Sequence, residues 1–166
     1  MIAPVKLLLW IVSKVYGLVV ALRNRLYDLG ILRSQSFSLP VSCIGNITAG
    51  GTGKTPHVIY LVERLASHTP VAVLSRGYLR KSRGFRQVTN DSTTSGAGDE
   101  PVMMAQALPG AKVFVDRNRA NGIREILRSF PDTGTVILDD GFQHRAVKAG
   151  MYILLTDWNR LMTCDR

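Results

Sequence analysis

The chain has 166 residues, 46% of them hydrophobic, and a formal charge of +9, which is enough for one domain with a real core and points to an anionic partner. Two cysteines, Cys43 and Cys164, do not make a disulfide framework and suit a reducing compartment, and neither has a metal-ligand partner nearby. Charge alone does not choose between nucleic acid, phosphorylated small molecules and acidic headgroups, but the basic residues are not interleaved with aromatics, so a nucleic-acid stacking surface ranks last.

Residues 1–33 differ in kind from the rest. Leu7-Leu8-Leu9-Trp10-Ile11-Val12 and Leu18-Val19-Val20 are strongly apolar, yet Lys6, Lys14, Arg23 and Arg25 interrupt them, which argues against a membrane span. At helical spacing Lys6, Ser13, Lys14, Gly17, Ala21, Asn24 and Arg25 form one stripe and leave an apolar face with Leu8, Val15, Leu18, Leu22 and Leu26. Trp10, Tyr16 and Tyr27 suit a headgroup boundary. No small-residue cleavage site follows the apolar run, which counts against a signal peptide. The pattern predicts a helix lying on a membrane surface within a segment 1–35, ahead of a domain spanning 36–166; the alternative is the same helix packed on its own domain.

Val41-Ser42-Cys43-Ile44 reads as a buried strand that runs into Gly45-Asn46-Ile47-Thr48-Ala49-Gly50-Gly51-Thr52-Gly53-Lys54-Thr55-Pro56. A strand, a glycine-rich turn ending in Gly-Lys-Thr and a helix are the wiring of a phosphate-binding loop. Backbone N–H groups of Thr48, Ala49, Gly50, Gly51, Thr52 and Gly53 would cradle nucleotide phosphates, Lys54 would reach the β and γ oxygens, and the Thr55 hydroxyl would help hold Mg²⁺. The usual pattern has glycine where this chain has Thr48. Pro56 fits the first turn of a helix, where its missing N–H costs nothing. A loop of this kind places the domain in the cytoplasm.

Beyond the loop, residues 57–68 carry Val58, Leu61, Val62 and Leu65 at helical spacing, and Val71-Ala72-Val73-Leu74-Ser75 is a short apolar strand. Residues 76–98 have weak periodicity and contain Arg76, Arg80, Lys81, Arg83 and Arg86 with no acid between them; they read as mostly loop, with a hairpin around 85–88 and a solvated or anion-facing surface. A helix over 99–108, a strand over 112–115, a helix over 119–130 and strands over 136–139 and 151–156 follow. Alternation of strands and helices predicts an α/β fold of the P-loop NTPase type, a mostly parallel sheet with helices on both faces, preceded by the amphipathic helix.

Thr135-Val136-Ile137-Leu138-Asp139-Asp140 is an apolar strand ending in two acids, the position of a metal-side carboxylate in a nucleotide site. Asp139 and Asp140, with Thr55, are therefore the candidate Mg²⁺ residues. His144 follows in Gly141-Phe142-Gln143-His144, either bonding to phosphate or to one of the acids, or structural. Asp99 sits where a helix N-cap belongs, with Pro101 just inside, or else serves as a general base for a substrate hydroxyl.

Together, the loop from Gly45 to Pro56, Ser75-Arg76-Gly77-Tyr78, Gly98-Asp99-Glu100-Pro101 and Asp139-Asp140-Gly141-Phe142-Gln143-His144, in that order, resemble the bacterial tetraacyldisaccharide 4'-kinase family. The family loop itself resembles Thr-x-Gly-Gly-x-Gly-Lys-Thr, so Thr48 fits. The resemblance implies transfer of the ATP γ-phosphate to the 4' hydroxyl of a tetraacyldisaccharide 1-phosphate, giving lipid IVA for lipid A biosynthesis at the cytoplasmic face of the inner membrane. It implies Lys54 and Thr55 on phosphate and Mg²⁺, Asp139 and Asp140 as metal-side acids, Asp99 as the base, and the basic segment after Arg76 toward the anionic lipid. It covers only the first half of the family's length. The implied remainder, which continues from Asp157-Trp158-Asn159-Arg160 and supplies a histidine partner for the base, leads to the expectation that residues 1–166 alone are a truncated and inactive portion.

Two other readings fit parts of the pattern. Partitioning and septum-placement ATPases share Gly-Gly-x-Gly-Lys-Thr and some use membrane helices, but they carry a signature lysine where this chain has Ala49. A membrane-attached nucleotide-binding module without catalysis, its sheet completed by another chain, is the second.

Overall fold

The computed structural model describes residues 3–46 and 53–156, with side chains from residue 8 onward. Thr48, Ala49, Gly50, Gly51 and Thr52 of the predicted phosphate loop, Cys164 and the Asp157-Trp158-Asn159-Arg160 stretch lie outside the described residues.

The chain forms two compact units, Met1–Ser34 and Gln35–Arg166. The first is built on helix α1, Ala3–Asp28. Leu8, Leu9, Trp10, Val15, Leu18 and Leu22 of α1 are each more than half exposed. Cations on its surface cover aromatic faces one turn away: Lys14 Nζ lies 5.5 Å from the Trp10 ring centre, and the Arg23 guanidinium 5.5 Å from that of Tyr27. Among the described residues no helix is long and apolar enough to cross a membrane.

The second unit carries β1 (Val41–Asn46), α2 (Lys54–Ala66), β2 (Val71–Ser75), β3 (Arg86–Val88), α3 (Thr94–Ala97), α4 (Asp99–Ala107), β4 (Lys112–Val115), α5 (Arg119–Ser129), β5 (Thr135–Asp139) and β6 (Met151–Leu155). They form a six-stranded sheet ordered β3-β4-β2-β5-β1-β6. Every pairing is parallel except β3 with β4. Both faces of the sheet are covered, which is why β2 and β5 read as nearly unbroken apolar runs and every residue of β1 is buried.

Alternation sorts these strands between two cores. Val71, Val73, Val113, Val115 and Ile137 face α2 and α4, where Val58, Val62, Val102 and Met104 meet them. Ala72, Leu74, Phe114, Val136 and Leu138 face α5 and its Ile123 and Ile126. Phe114 is fully buried, stacked at 5.2 Å on Phe85 and packed at 5.1 Å against Phe130. Cys43 shares this core, and burial pushes its thiol up to about 11, so it is a packing residue rather than a nucleophile.

The middle of the chain departs from the sequence expectation. Residues 86–88 make no hairpin; they pair antiparallel with β4, so the strand's partner lies across the sheet edge. Arg80 is no solvated loop residue. It is 2% exposed and donates to the Gly84 carbonyl at 2.7 Å and to Ser82 Oγ at 3.3 Å, propping the loop from inside, and burial lowers its pKa. Gly98 precedes α4 at φ 96°, ψ 154°, a conformation open to glycine alone. A Cβ there would come within 3.0 Å of the Tyr78 carbonyl oxygen, so the glycine lets the start of α4 seat against the Gly77-Tyr78 turn.

Helix α5 starts at a conventional cap: the Asn118 side chain accepts from the Asn121 N–H at 3.1 Å. Asn118→Ala is expected to destabilise the fold by about 1 kcal/mol, lowering Tm by about 2–4 °C. An unchanged Tm in calorimetric melts would show that this cap contributes nothing.

Candidate active site

Neighbouring strands β2, β5 and β1 end side by side at Ser75, Asp139 and Asn46, and helix α2 starts beside them. Open parallel sheets place their ligand sites at this rim. Lys54 is the first residue of α2. Its Nζ donates to Asn46 Oδ1 at 3.0 Å and lies 3.7 Å from Asp140 Oδ1. Gly53, at φ 73°, precedes the helix without a side-chain cap, so the leading N–H groups of α2 are not spent on a side chain. Such a helix start favours an anion through its dipole and its unpaired donors. Thr55, the next residue, is 7% exposed.

Asp140 adopts φ 51°, a left-handed conformation that aspartate tolerates better than most residues, and it stands exposed opposite Lys54. Gly141 after it allows the chain to turn tightly over β1: a Cβ there would sit 2.9 Å from Cys43 Sγ.

Asp139 lies deeper and is 1% exposed. Ser75 Oγ donates to its Oδ2 at 2.9 Å, while Oδ1 is buried with no hydrogen-bond partner among the described residues. Burial pushes its carboxyl up to about 6; the Ser75 bond and the Arg119 charge oppose the shift, and Glu100 and Asp140 add to it. Glu100 thus belongs to the electrostatics of this site. Arg119 is also buried. It donates to the Asp116 carbonyl at 2.6 Å and the Asp139 carbonyl at 2.9 Å, and burial lowers it to about 10 despite the nearby acids.

Lys54, Asp139 and Asp140 are therefore brought together at one rim. Asp99 is not an N-cap: it is the first residue of α4, exposed, with Gly98 before it and no side-chain cap bond. His144 lies beyond the turn, half-buried, where it lines a cleft of about 310 Å³ with Phe142, Arg145 and Tyr152. Four residues with a place in the site have no role in the sequence reading: Asn46, Ser75, Glu100 and Arg119. Asn46 and Ser75 end strands at the ligand rim, a signal sequence does carry. Arg119 opens an amphipathic helix, where an arginine reads as a solvated residue.

Among the described residues no three His, Cys, Asp or Glu side chains converge as a metal cage. Mg²⁺ in nucleotide sites uses one or two carboxylates and completes its shell with phosphate and water. A buried carboxylate with one uncommitted oxygen fits that demand.

A family model described as tetraacyldisaccharide-1-P 4'-kinase matches residues 5–166. The chain belongs to this family. Among curated members of the kinase family, the tetraacyldisaccharide 4'-kinase of Bacteroides thetaiotaomicron is 52% identical over 95% of this chain and 41% of its own length. That of Flavobacterium johnsoniae is 48% identical over 90% of the chain and 44% of its own. The crystal structure of LpxK from Aquifex aeolicus in complex with ATP superposes with a TM-score of 0.81 at 38% identity, covering 89% of this chain and 47% of that one. The chain thus spans under half the length of the relatives it matches. The P-loop-type α/β fold expected of the 4'-kinase family is the fold observed, with the mostly parallel sheet and the leading helix in place.

Proposed function

We propose that this chain carries the nucleotide site of a lipid kinase that moves the γ-phosphate of ATP to the 4' hydroxyl of tetraacyldisaccharide 1-phosphate, forming lipid IVA. The observation that carries the reading is the Lys54 ammonium held between Asn46 and Asp140, beside a buried Asp139 whose Oδ1 is uncommitted. Family membership and the ATP complex of the Aquifex aeolicus relative support it.

In this reading the loop from Thr48 to Gly53 binds the phosphates with the start of α2, and Lys54 offsets charge on the transferring group. Thr55, Asp139 and Asp140 are the residues that would hold Mg²⁺, which would neutralise phosphate charge when bound. Asp99 accepts the proton of the acceptor hydroxyl from its exposed place at the start of α4. His144 contributes from the cleft past Asp140.

Residues 1–35 form the membrane-facing segment and 36–166 the nucleotide-binding domain. The exposed apolar surface of α1, with Trp10 and Lys14 beside it, suits a peripheral position on the cytoplasmic face of the inner membrane, where the acylated substrate resides. Nucleic acid is not among the partners.

The test is incubation of the full-length protein with γ-labelled ATP, Mg²⁺ and the disaccharide lipid. Label at the 4' position is the expected result. ATP hydrolysis with no lipid labelled would favour the switch-type ATPase instead.

A further inference from the structure

Asp139 is held from two sides by residues to which the phosphotransfer scheme assigns no contact with phosphate. Ser75 closes β2, is 3% exposed, and commits its hydroxyl to Oδ2. Arg119 is 2% exposed and bonds the carbonyls of Asp116 and Asp139. Asp116 follows β4, and β2 lies between β4 and β5, so the guanidinium bridges over the end of β2. The Asp116 N–H in turn donates to the Ser75 carbonyl at 3.1 Å. Ser75, Asp139, Arg119 and Asp116 thereby close a ring of hydrogen bonds beneath the rim. The Asp116 carboxylate is itself occupied, accepting from the Asn118 N–H at 2.9 Å and from Asn121 Nδ2 at 2.8 Å, which fixes the start of the helix that carries Arg119.

This ring is poorly explained by stability. A buried arginine whose Nε has no partner is costly, and well-packed apolar residues commonly serve a fold as well or better. The ring does remove freedom from one group. A carboxylate turns about its last torsion in a broad, two-fold well. With the backbone carbonyl pinned by Arg119 and Oδ2 held by Ser75, Oδ1 is the carboxylate oxygen left with no partner among the described residues.

We propose that Ser75 and Arg119 are positioning residues that fix which carboxylate oxygen of Asp139 would face the Mg²⁺ of a bound nucleotide, an inference that rests on the kinase reading. They act through Asp139 and touch neither nucleotide nor lipid. Mg²⁺ tolerates little departure from octahedral geometry, so a carboxylate free to swing or to offer both oxygens binds the complex less well.

The experiment compares affinity for a fluorescent ATP analogue in excess Mg²⁺ and in EDTA, using the full-length protein. In Ser75→Ala the gain in affinity that Mg²⁺ confers is expected to fall about tenfold, with affinity in EDTA kept within about twofold of wild type. Arg119→Lys, which keeps the charge but not the two-carbonyl bridge, should move in the same direction. Adding Ser75→Ala to Asp139→Asn should change neither affinity further, because the serine has no other route to the metal. An equal fall in both conditions, an intact metal-linked gain, or additive losses in the double variant would each overturn the inference while leaving the kinase reading standing. A wild-type protein that binds the analogue in neither condition would overturn both.

Discussion

Asp139→Asn is expected to make the protein more stable and nearly inactive at once. The carboxyl is 1% exposed and its pKa is raised to about 6, against about 3.9 for an unfolded aspartate. The native state therefore binds this proton more tightly than the unfolded state. Below about pH 4 both states are protonated and Asp139 costs nothing; between about pH 4 and 6 the unfolded chain ionises first and stability falls; above that the full penalty applies. The difference amounts to an upper bound of about 3 kcal/mol. Asparagine keeps an acceptor for Ser75 and sheds the buried charge. A gain of about 1–3 kcal/mol at pH 8, or roughly 3–8 °C in Tm, should shrink toward zero near pH 4. Phosphotransfer should drop by about 100- to 1,000-fold, the scale of losing one group that stabilises transition-state charge. Thermal melts across pH, paired with the labelled-ATP assay, read both quantities. A variant that melts lower than wild type at pH 8 would show that the charge is compensated in the fold.

Lys54→Ala should behave differently, losing function without a stability change. Its ammonium faces Asn46 and an Asp140 side chain that is 54% exposed, and a pair that open to water contributes at most about 1 kcal/mol. In the proposed reading the same charge faces the phosphates from the start of a helix, beside Asp140. Transfer is expected to fall by at least about 100-fold, with Tm shifted by no more than about 2–4 °C. Lys54→Arg should not rescue it, because a rigid planar fork does not replace a compact, mobile ammonium at the start of α2. Transfer by Lys54→Ala at rates close to wild type would remove the lysine from the site.

The legible parts of this fold share one property: their signal is local. The apolar runs at Val71 to Leu74 and Thr135 to Leu138 announce strands buried on both faces, and Gly53-Lys54-Thr55 announces the helix start that follows β1. Asp139 is legible because it ends such a run. What stays hidden depends on residues far away in sequence or on backbone geometry. Gln87 pairs with Phe114 across the edge of the sheet, and no spacing near Gln87 points there. Asp99 has the composition of a cap, yet the φ of Gly98 sets the entry to α4 and leaves Asp99 one place inside. Arg80 and Arg119 are long and charged, the usual profile of solvated residues, yet both are buried and donate to backbone carbonyl oxygens that face them. Glu100 bears on Asp139 because Gly98 seats the start of α4 on the turn that follows β2, the strand beside β5, a matter of topology.

The place of β1 in the sheet has a consequence for how the protein comes off the ribosome. β1 lies between β5 and β6, and the Thr135 hydroxyl at the foot of β5 bonds the Pro40 carbonyl 95 positions earlier. At a synthesis rate of about 5–20 residues per second, the first strand of the sheet waits about 5–20 s for a neighbour to pair with. During that interval Val41, Cys43 and Ile44 form an apolar strand with both edges open, the feature most prone to wrong pairing. The strand that leads into the proposed phosphate loop is made first and housed late, and newly made chains depend on that interval being kept free of competing partners.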